Sequence, residues 1–255
     1  MKSNSIMKYI SDNADYSVLP DILPVMHSCD GFDCEKIIVD KQLKPTLCPV
    51  FNEELLYFFY GKPSYPIGEK EKYNRTDDLC CPVCFIIDID KIDIYRVFPF
   101  DSGAFNSKMY LQFIHRHMQI NEFELDNNCN AIRAYISVVF ETNVKYLRGI
   151  SGPKVDENTY VNSLLKMLSA NGAFEIDERS NTIEVICKKA IDISKEVRGI
   201  VLPENLKRKQ IICDFIDNNN INYRTYEVRN MTAPTRYNET VFQLVMQFIK
   251  GGNLW

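Results

Sequence analysis

Histidine is scarce in this chain: His27, His115 and His117 are the three that occur. No run approaches the roughly 18 apolar residues that span a bilayer, which excludes a helical membrane anchor from the sequence given. Neither sign of charge dominates. Thirty Lys and Arg against 34 Asp and Glu leave a formal net charge of −4. That balance gives no general positive field for nucleic acid, so any such contact would need a local basic groove. Repeats and low-complexity tracts are absent. Residues 1–15 are polar and lack the apolar segment of a secretory signal. A cytoplasmic protein with no membrane partner is the expectation.

Enough apolar material is present for a sizeable core. Hydrophobic residues make up 45% and charged residues 25% of the 255 positions, an ordinary globular balance. That length suits one large domain or two small ones. The nine cysteines are an odd number in a chain that is not short, so a disulfide framework is not expected. Cys81-Pro82-Val83-Cys84 has the spacing of half a zinc knuckle. A tetrahedral site needs four ligands, and Cys29, Cys34 and Cys48 supply no matching pair. The run continues directly into an apolar strand. Free thiols and no metal are expected.

Periodicity places strands at both ends and helices between them. Residues 23–27 read as a strand. Residues 32–39 read as a helix with Asp33 as a cap, and 52–59 as a short helix or turn. The polar stretch 62–78 reads as a loop, and 84–89 and 94–98 as strands. Residues 107–170 read as helical. Tyr110, Phe113, Ile114 and His117 recur at helical spacing, as do Ile132, Tyr135, Ile136 and Val139, and then Tyr160, Leu164, Leu165 and Leu168. Strands return at 182–201, followed by a helix near 204–217, a strand near 223–228 and a last helix at 239–250. The pattern predicts an α+β fold whose sheets pair distant segments.

Glu184 stands out. In Asn181-Thr182-Ile183-Glu184-Val185-Ile186-Cys187, alternation puts Ile183, Val185 and Cys187 on one face and Glu184 on the other. A lone carboxylate there is either a solvated outer residue or a placed catalytic group. Upstream, His27 closes a strand and is followed by Ser28-Cys29. After 37–45, a turn ending in Lys44-Pro45, comes Tyr60-Gly61-Lys62-Pro63-Ser64-Tyr65. Glu184 leads through a strand to Ile200-Val201-Leu202-Pro203. This order resembles the ADP-ribosyltransferase superfamily, in its His-Tyr-Glu branch of diphtheria-toxin and poly(ADP-ribose) polymerase type. The resemblance covers residues 23–202, interrupted by the helical block. Lys41-Gln42 stand where a Gly is common, Pro63 replaces a second Gly, and Ser28-Cys29 depart from the usual residues after the His.

The resemblance implies a single domain over 1–255, a split β-sandwich with a helical insertion at about 106–172. It implies NAD as substrate, cleavage of the nicotinamide–ribose bond and transfer of ADP-ribose to an acceptor macromolecule, protein or nucleic acid, as toxins and defence effectors do. Glu184 would hold the nicotinamide ribose and stabilise an oxocarbenium-like state. His27 would bond the adenosine ribose. Tyr65 would stack on nicotinamide, with Tyr60 as the alternative. His27, Tyr65 and Glu184 would face one cleft. Ser28 adjoins His27. Asp101-Ser102-Gly103 reads as a tight turn or as a lining loop in which Asp101 or Ser102 reaches the ligand. Arg179 could meet the diphosphate or acceptor. Two alternatives keep the same fold: an NAD glycohydrolase and an inactive binding module. A third, of another class, is a cysteine hydrolase built from Cys29 or Cys34 with His115 or His117.

Overall fold

The computed structural model describes residues 5–64, 78–151, 156–170, 178–229 and 232–251. The architecture is mixed α+β. Its strands are β1 (Val25–Asp30), β2 (Gln42–Leu43), β3 (Thr46–Cys48), β4 (Glu53–Tyr60), β5 (Pro82–Ile87), β6 (Ile94–Phe98), β7 (Glu184–Cys187), β8 (Ile191–Asp192), β9 (Val197–Pro203) and β10 (Asn222–Tyr226). Its helices are α1 (Ser5–Asn13), α2 (Gly31–Asp40), α3 (Ser102–Asn106), α4 (Cys129–Val139), α5 (Asn143–Leu147), α6 (Thr159–Ser169), α7 (Ile193–Glu196), α8 (Glu204–Lys207), α9 (Gln210–Asn218) and α10 (Asn238–Gly251). The chain clusters into two compact units. The first holds Met1–Ile22, Cys48–Glu53 and Ile94–Ile186, and the second holds Leu23–Leu47, Glu54–Asp93 and Cys187–Trp255.

The second unit is built on a sheet in which β5 is the most enclosed strand. All six residues of β5 are buried, as an unbroken apolar run at a sheet centre should be. β1 pairs antiparallel with β5 from Val25↔Ile87 to Asp30↔Pro82, and with β4 at Val25↔Tyr60 and Met26↔Phe59. β9 pairs antiparallel with the other side of β5, with a register shift between Ile86 and Ile87. β10 adds to β9 in parallel. A parallel neighbour needs a crossover, which α8 and α9 supply. α10 packs on β9 and β5, and α2 on β1 and α9. Asp30, not Asp33, caps α2: its carboxylate accepts the Asp33 N–H.

The first unit carries five of the ten described helices, α1 and α3 to α6. Ile6 and Ile10 of α1 are buried against α4 and α6. Arg133 of α4 ties down the segment after α1, donating to the carbonyls of Pro20 at 2.6 Å and Leu19 at 3.2 Å. Phe100 anchors an aromatic cluster with Phe105, Tyr110 and Phe123 at centroid distances of 5.8, 5.4 and 5.4 Å. β6 and β7 are neighbours in this unit.

Several sequence expectations are corrected. Residues 52–59 form no helix; Glu53–Tyr60 is a strand. Residues 107–118 are turns rather than an amphipathic helix. Lys108 adopts φ of 63°, which ends α3 and diverts the chain. Tyr110 and Ile114 are still buried, whereas His117 is exposed. The polar N-terminal stretch contains a packed helix. Most of the expected loop 62–78 lies outside the described residues.

Gly199 of β9 shows how closely α10 approaches the sheet. A Cβ there would lie 2.3 Å from Phe248 Cζ. We expect Gly199→Ala to cost about 1–3 kcal/mol by overpacking. A double-mutant cycle with Phe248→Leu, read by urea unfolding, should recover part of that loss. Strictly additive losses would mean that the ring does not press on the strand.

Candidate functional site

Glu184 opens β7 and is 2% exposed, so the solvated-face reading is excluded. Val185, Ile186 and Cys187 are buried with it. β7 is therefore covered on both faces rather than alternating. The backbone entering the strand is fixed from one side by Tyr146, whose hydroxyl accepts the Ile183 N–H at 3.1 Å. The Asp101 N–H bonds to the Arg179 carbonyl at 3.0 Å, joining the start of α3 to the turn before β7. Asp101 caps α3, accepting the Ala104 N–H at 2.5 Å. Ser102 then directs its backbone N–H at Glu184 Oε2, 3.3 Å away. The Ser102 hydroxyl is buried and has no hydrogen-bond partner of normal geometry.

This setting pushes the Glu184 carboxyl well above its ordinary range. Burial is the largest cause, the negative charge of Asp101 adds to it, and the contacts with Ser102 pull the other way. Glu184 makes no ion pair among the described residues. The site thus holds a buried carboxyl that favours its protonated form, with one long hydrogen bond and no ion pair among the described residues. A cationic ligand beside it would favour the ionised form, because an opposite charge in low dielectric stabilises a carboxylate. Chemically, the arrangement suits a group that releases its proton as positive charge develops nearby.

His27 lies on β1 in the second unit. Its Nδ1 is 3.0 Å from the Tyr57 carbonyl, so that nitrogen carries the proton. The ring lies edge-on to Phe58 at 5.8 Å and tilted against Phe85 at 6.5 Å. Burial draws its pKa down despite the Tyr57 bond. The imidazole is neutral, and Nε2 is left as an acceptor able to take a hydroxyl proton. Ser28 is the next residue on the strand and points to the other face. Its hydroxyl is buried without a partner and lines a cavity of about 270 Å³ with Asp30, Pro82 and Asn238 among others.

The remaining sequence candidates fall as follows. Tyr60 is 0% exposed, and its hydroxyl accepts the Leu23 N–H at 2.8 Å, so its ring belongs to the core of the second unit and not to a ligand surface. Gly61, at φ of 72°, begins a buried passage through Ser64. Tyr65 lies outside the described residues. Arg179 is buried, with Nη2 3.1 Å from Met109 Sδ. Burial raises the Cys29 and Cys34 thiols, which removes the thiolate a cysteine hydrolase needs. Cys81 and Cys84 are buried thiols, and no group of three metal-ligating side chains occurs among the described residues. No described helix is long and apolar enough to cross a membrane. The sequence reasoning missed Tyr146 and its role in setting the entry to β7; nothing in the local sequence marks it.

Comparison with protein-family models, curated proteins and solved structures returned no match.

The raised Glu184 value carries a stability consequence. The folded state holds this proton more tightly than the unfolded chain, whose ordinary value is 4.5. The stabilising contribution is present below that value and is lost as pH rises through the raised one. Glu184→Gln removes the dependence. We expect the stability of the native protein, relative to Glu184→Gln, to fall as pH rises above the ordinary value of 4.5 in chemical denaturation. Parallel pH profiles would show that the carboxyl is not desolvated.

Proposed function

We propose that this protein is an NAD-dependent ADP-ribosyltransferase of the His-Tyr-Glu type, with the split-sandwich arrangement that this implies. It would cleave the nicotinamide–ribose bond and pass ADP-ribose to an acceptor macromolecule. One observation carries the reading: Glu184 is a buried carboxyl that makes no ion pair among the described residues. Burying a carboxyl in apolar surroundings costs several kcal/mol unless it is neutralised, so a group kept there gives the fold little. Its chemistry matches a cationic substrate. The pyridinium of NAD is positive, and the oxocarbenium-like state formed as nicotinamide leaves is positive as well. Both would draw the proton off Glu184 to solvent water, and the resulting carboxylate would stabilise the developing charge where it forms.

The step balances without a redox partner. The C–N bond between ribose and nicotinamide breaks, and its electron pair leaves with nicotinamide as a neutral molecule. An acceptor oxygen or nitrogen then donates a pair to the ribose carbon, and its proton passes to a base, for which Glu184 is the candidate. His27 supports the reading independently. A neutral imidazole with Nδ1 committed to Tyr57 presents Nε2 to accept a bond from a ribose hydroxyl. The stacking role remains with Tyr65, and Tyr60 is withdrawn from it.

Incubation with NAD labelled in the adenylate tests this directly. Wild type should release nicotinamide and deposit label on protein or nucleic acid in a cell lysate. Label found only in free ADP-ribose would make water the acceptor and the protein a glycohydrolase. Glu184→Gln should lower nicotinamide release by about 10²-fold or more, the usual loss when a charge-stabilising group is removed. Release within a few-fold of wild type would remove Glu184 from the mechanism, and no release by wild type would leave a binding module.

A further inference from the structure

Among the described residues, a cavity of about 490 Å³ in the first unit is lined by residues 105–119, the turn-rich segment that the sequence suggests is helical. Lys108, His115, Arg116 and His117 line it, with Tyr110 and Ile114 among the apolar residues of its floor. We propose that this cavity binds a small phosphate monoester. The phosphate would sit among the four basic side chains, and its organic group would lie on the apolar floor. The inference does not rest on the proposed NAD chemistry.

Charge is the first argument. No acidic residue among the described residues lines the cavity, and none occurs between Asp101 and Glu122 in the sequence of a chain whose net charge is −4. None of the four basic side chains makes an ion pair among the described residues. Three exposed lysines elsewhere are matched with carboxylates one turn away: Lys8 with Asp12, Lys44 with Asp40, Lys145 with Glu141. Lys108 and Arg116 lack that neutralisation although they lie within one concave surface. Their fields therefore add at the cavity.

Donor geometry is the second argument. The His117 N–H donates to His115 Nδ1 at 3.3 Å, and the two rings meet edge-to-face at 5.1 Å. These contacts fix the imidazoles relative to one another. With Nδ1 accepting, His115 keeps its proton on Nε2, where it can donate to an anionic oxygen. A guanidinium, an ammonium and imidazole donors together suit a phosphate monoester, which offers three acceptor oxygens and nearly two negative charges. A carboxylate would use fewer of them.

Shape is the third argument. The volume falls within the roughly 300–1,000 Å³ of small-ligand sites, and an apolar floor with a few polar groups is their usual lining. A nucleic-acid surface instead needs a basic stripe that follows a backbone. The four basic groups here converge on a single hollow.

Phenyl phosphate is a suitable probe because it is not a fragment of NAD. Its binding to the full chain can be followed by equilibrium dialysis, with phenol and inorganic phosphate as controls. Phenyl phosphate should bind saturably and more tightly than either control. Binding should weaken about tenfold or more in Lys108→Ala/Arg116→Ala, since each charge-assisted bond lost contributes strongly. Glu184→Gln should bind it as wild type does, which separates this site from the NAD reading. Both cationic side chains are on the surface, so the double variant should fold; if it does not, Lys108→Gln gives the same measurement with a smaller loss. Displacement of phenyl phosphate by AMP would identify nucleotides as the ligand source, and failure of AMP to displace it would point to other monoesters. The proposal is overturned if phenyl phosphate shows no saturable binding, if the double variant binds it undiminished, or if a single-stranded oligonucleotide binds where phenyl phosphate does not.

Discussion

Desolvation of the Glu184 carboxyl is the constraint on which the first unit's site depends. An ionised carboxylate in apolar surroundings carries a penalty of several kcal/mol, and a fold without a compensating cation meets it by keeping the proton on. Backbone N–H groups donate each of the bonds that position Glu184. The Ile183 N–H meets Tyr146, the Asp101 N–H meets the Arg179 carbonyl, and the Ser102 N–H meets the carboxyl itself. None of these bonds supplies a full positive charge, so the group is oriented without being neutralised. An ion pair would have oriented it equally well and fixed it as a permanent anion.

Much of the secondary structure was legible because its periodicity was long and uninterrupted. Ile132, Tyr135, Ile136 and Val139 mark α4, and Leu164, Leu165 and Leu168 mark α6; all are buried. The misreadings each have a physical source. In 52–59 the adjacent Leu55 and Leu56 blur the two-residue alternation, and the preceding glutamates favour a helix. The run Tyr57-Phe58-Phe59 suits a pleated surface better, and pairing with β1 decides the matter. In 107–118 the three-to-four spacing is real but has no continuous helix beneath it, because Lys108 turns the chain into the left-handed region. α1 was hidden because two isoleucines, Ile6 and Ile10, are a thin stripe in a polar segment. Tertiary burial rather than propensity holds it.

The site was less legible than the fold. Glu184 announced itself as a charge among β-branched residues, but alternation could not say that β7 is covered on both faces. Ser102 was singled out as part of a turn, and the link to Glu184 across 82 positions is visible only in three dimensions. His27 was legible as a strand residue, although β1 runs on past it to Asp30 rather than ending there. Its tautomer was not, because that depends on a carbonyl thirty residues away. Tyr60 shows the opposite case. Its place beside Gly61 suggested a ligand contact, whereas its hydroxyl is bound to the Leu23 backbone inside the core.

Asp101 and Glu184 show how two carboxyls in one unit are given different tasks. Asp101 accepts a backbone N–H at a helix start, a position that favours negative charge. Its charge then opposes a second one on Glu184, whose burial already disfavours ionisation. The two effects act in the same direction, so both favour the protonated form of Glu184. A carboxyl poised in this way responds to a cation far more than a surface carboxylate would, since the interaction is felt through low dielectric. Replacing Asp101 by Asn would keep the cap while removing the opposing charge. The Glu184 value should then fall, though burial would still hold it above the ordinary carboxylate range.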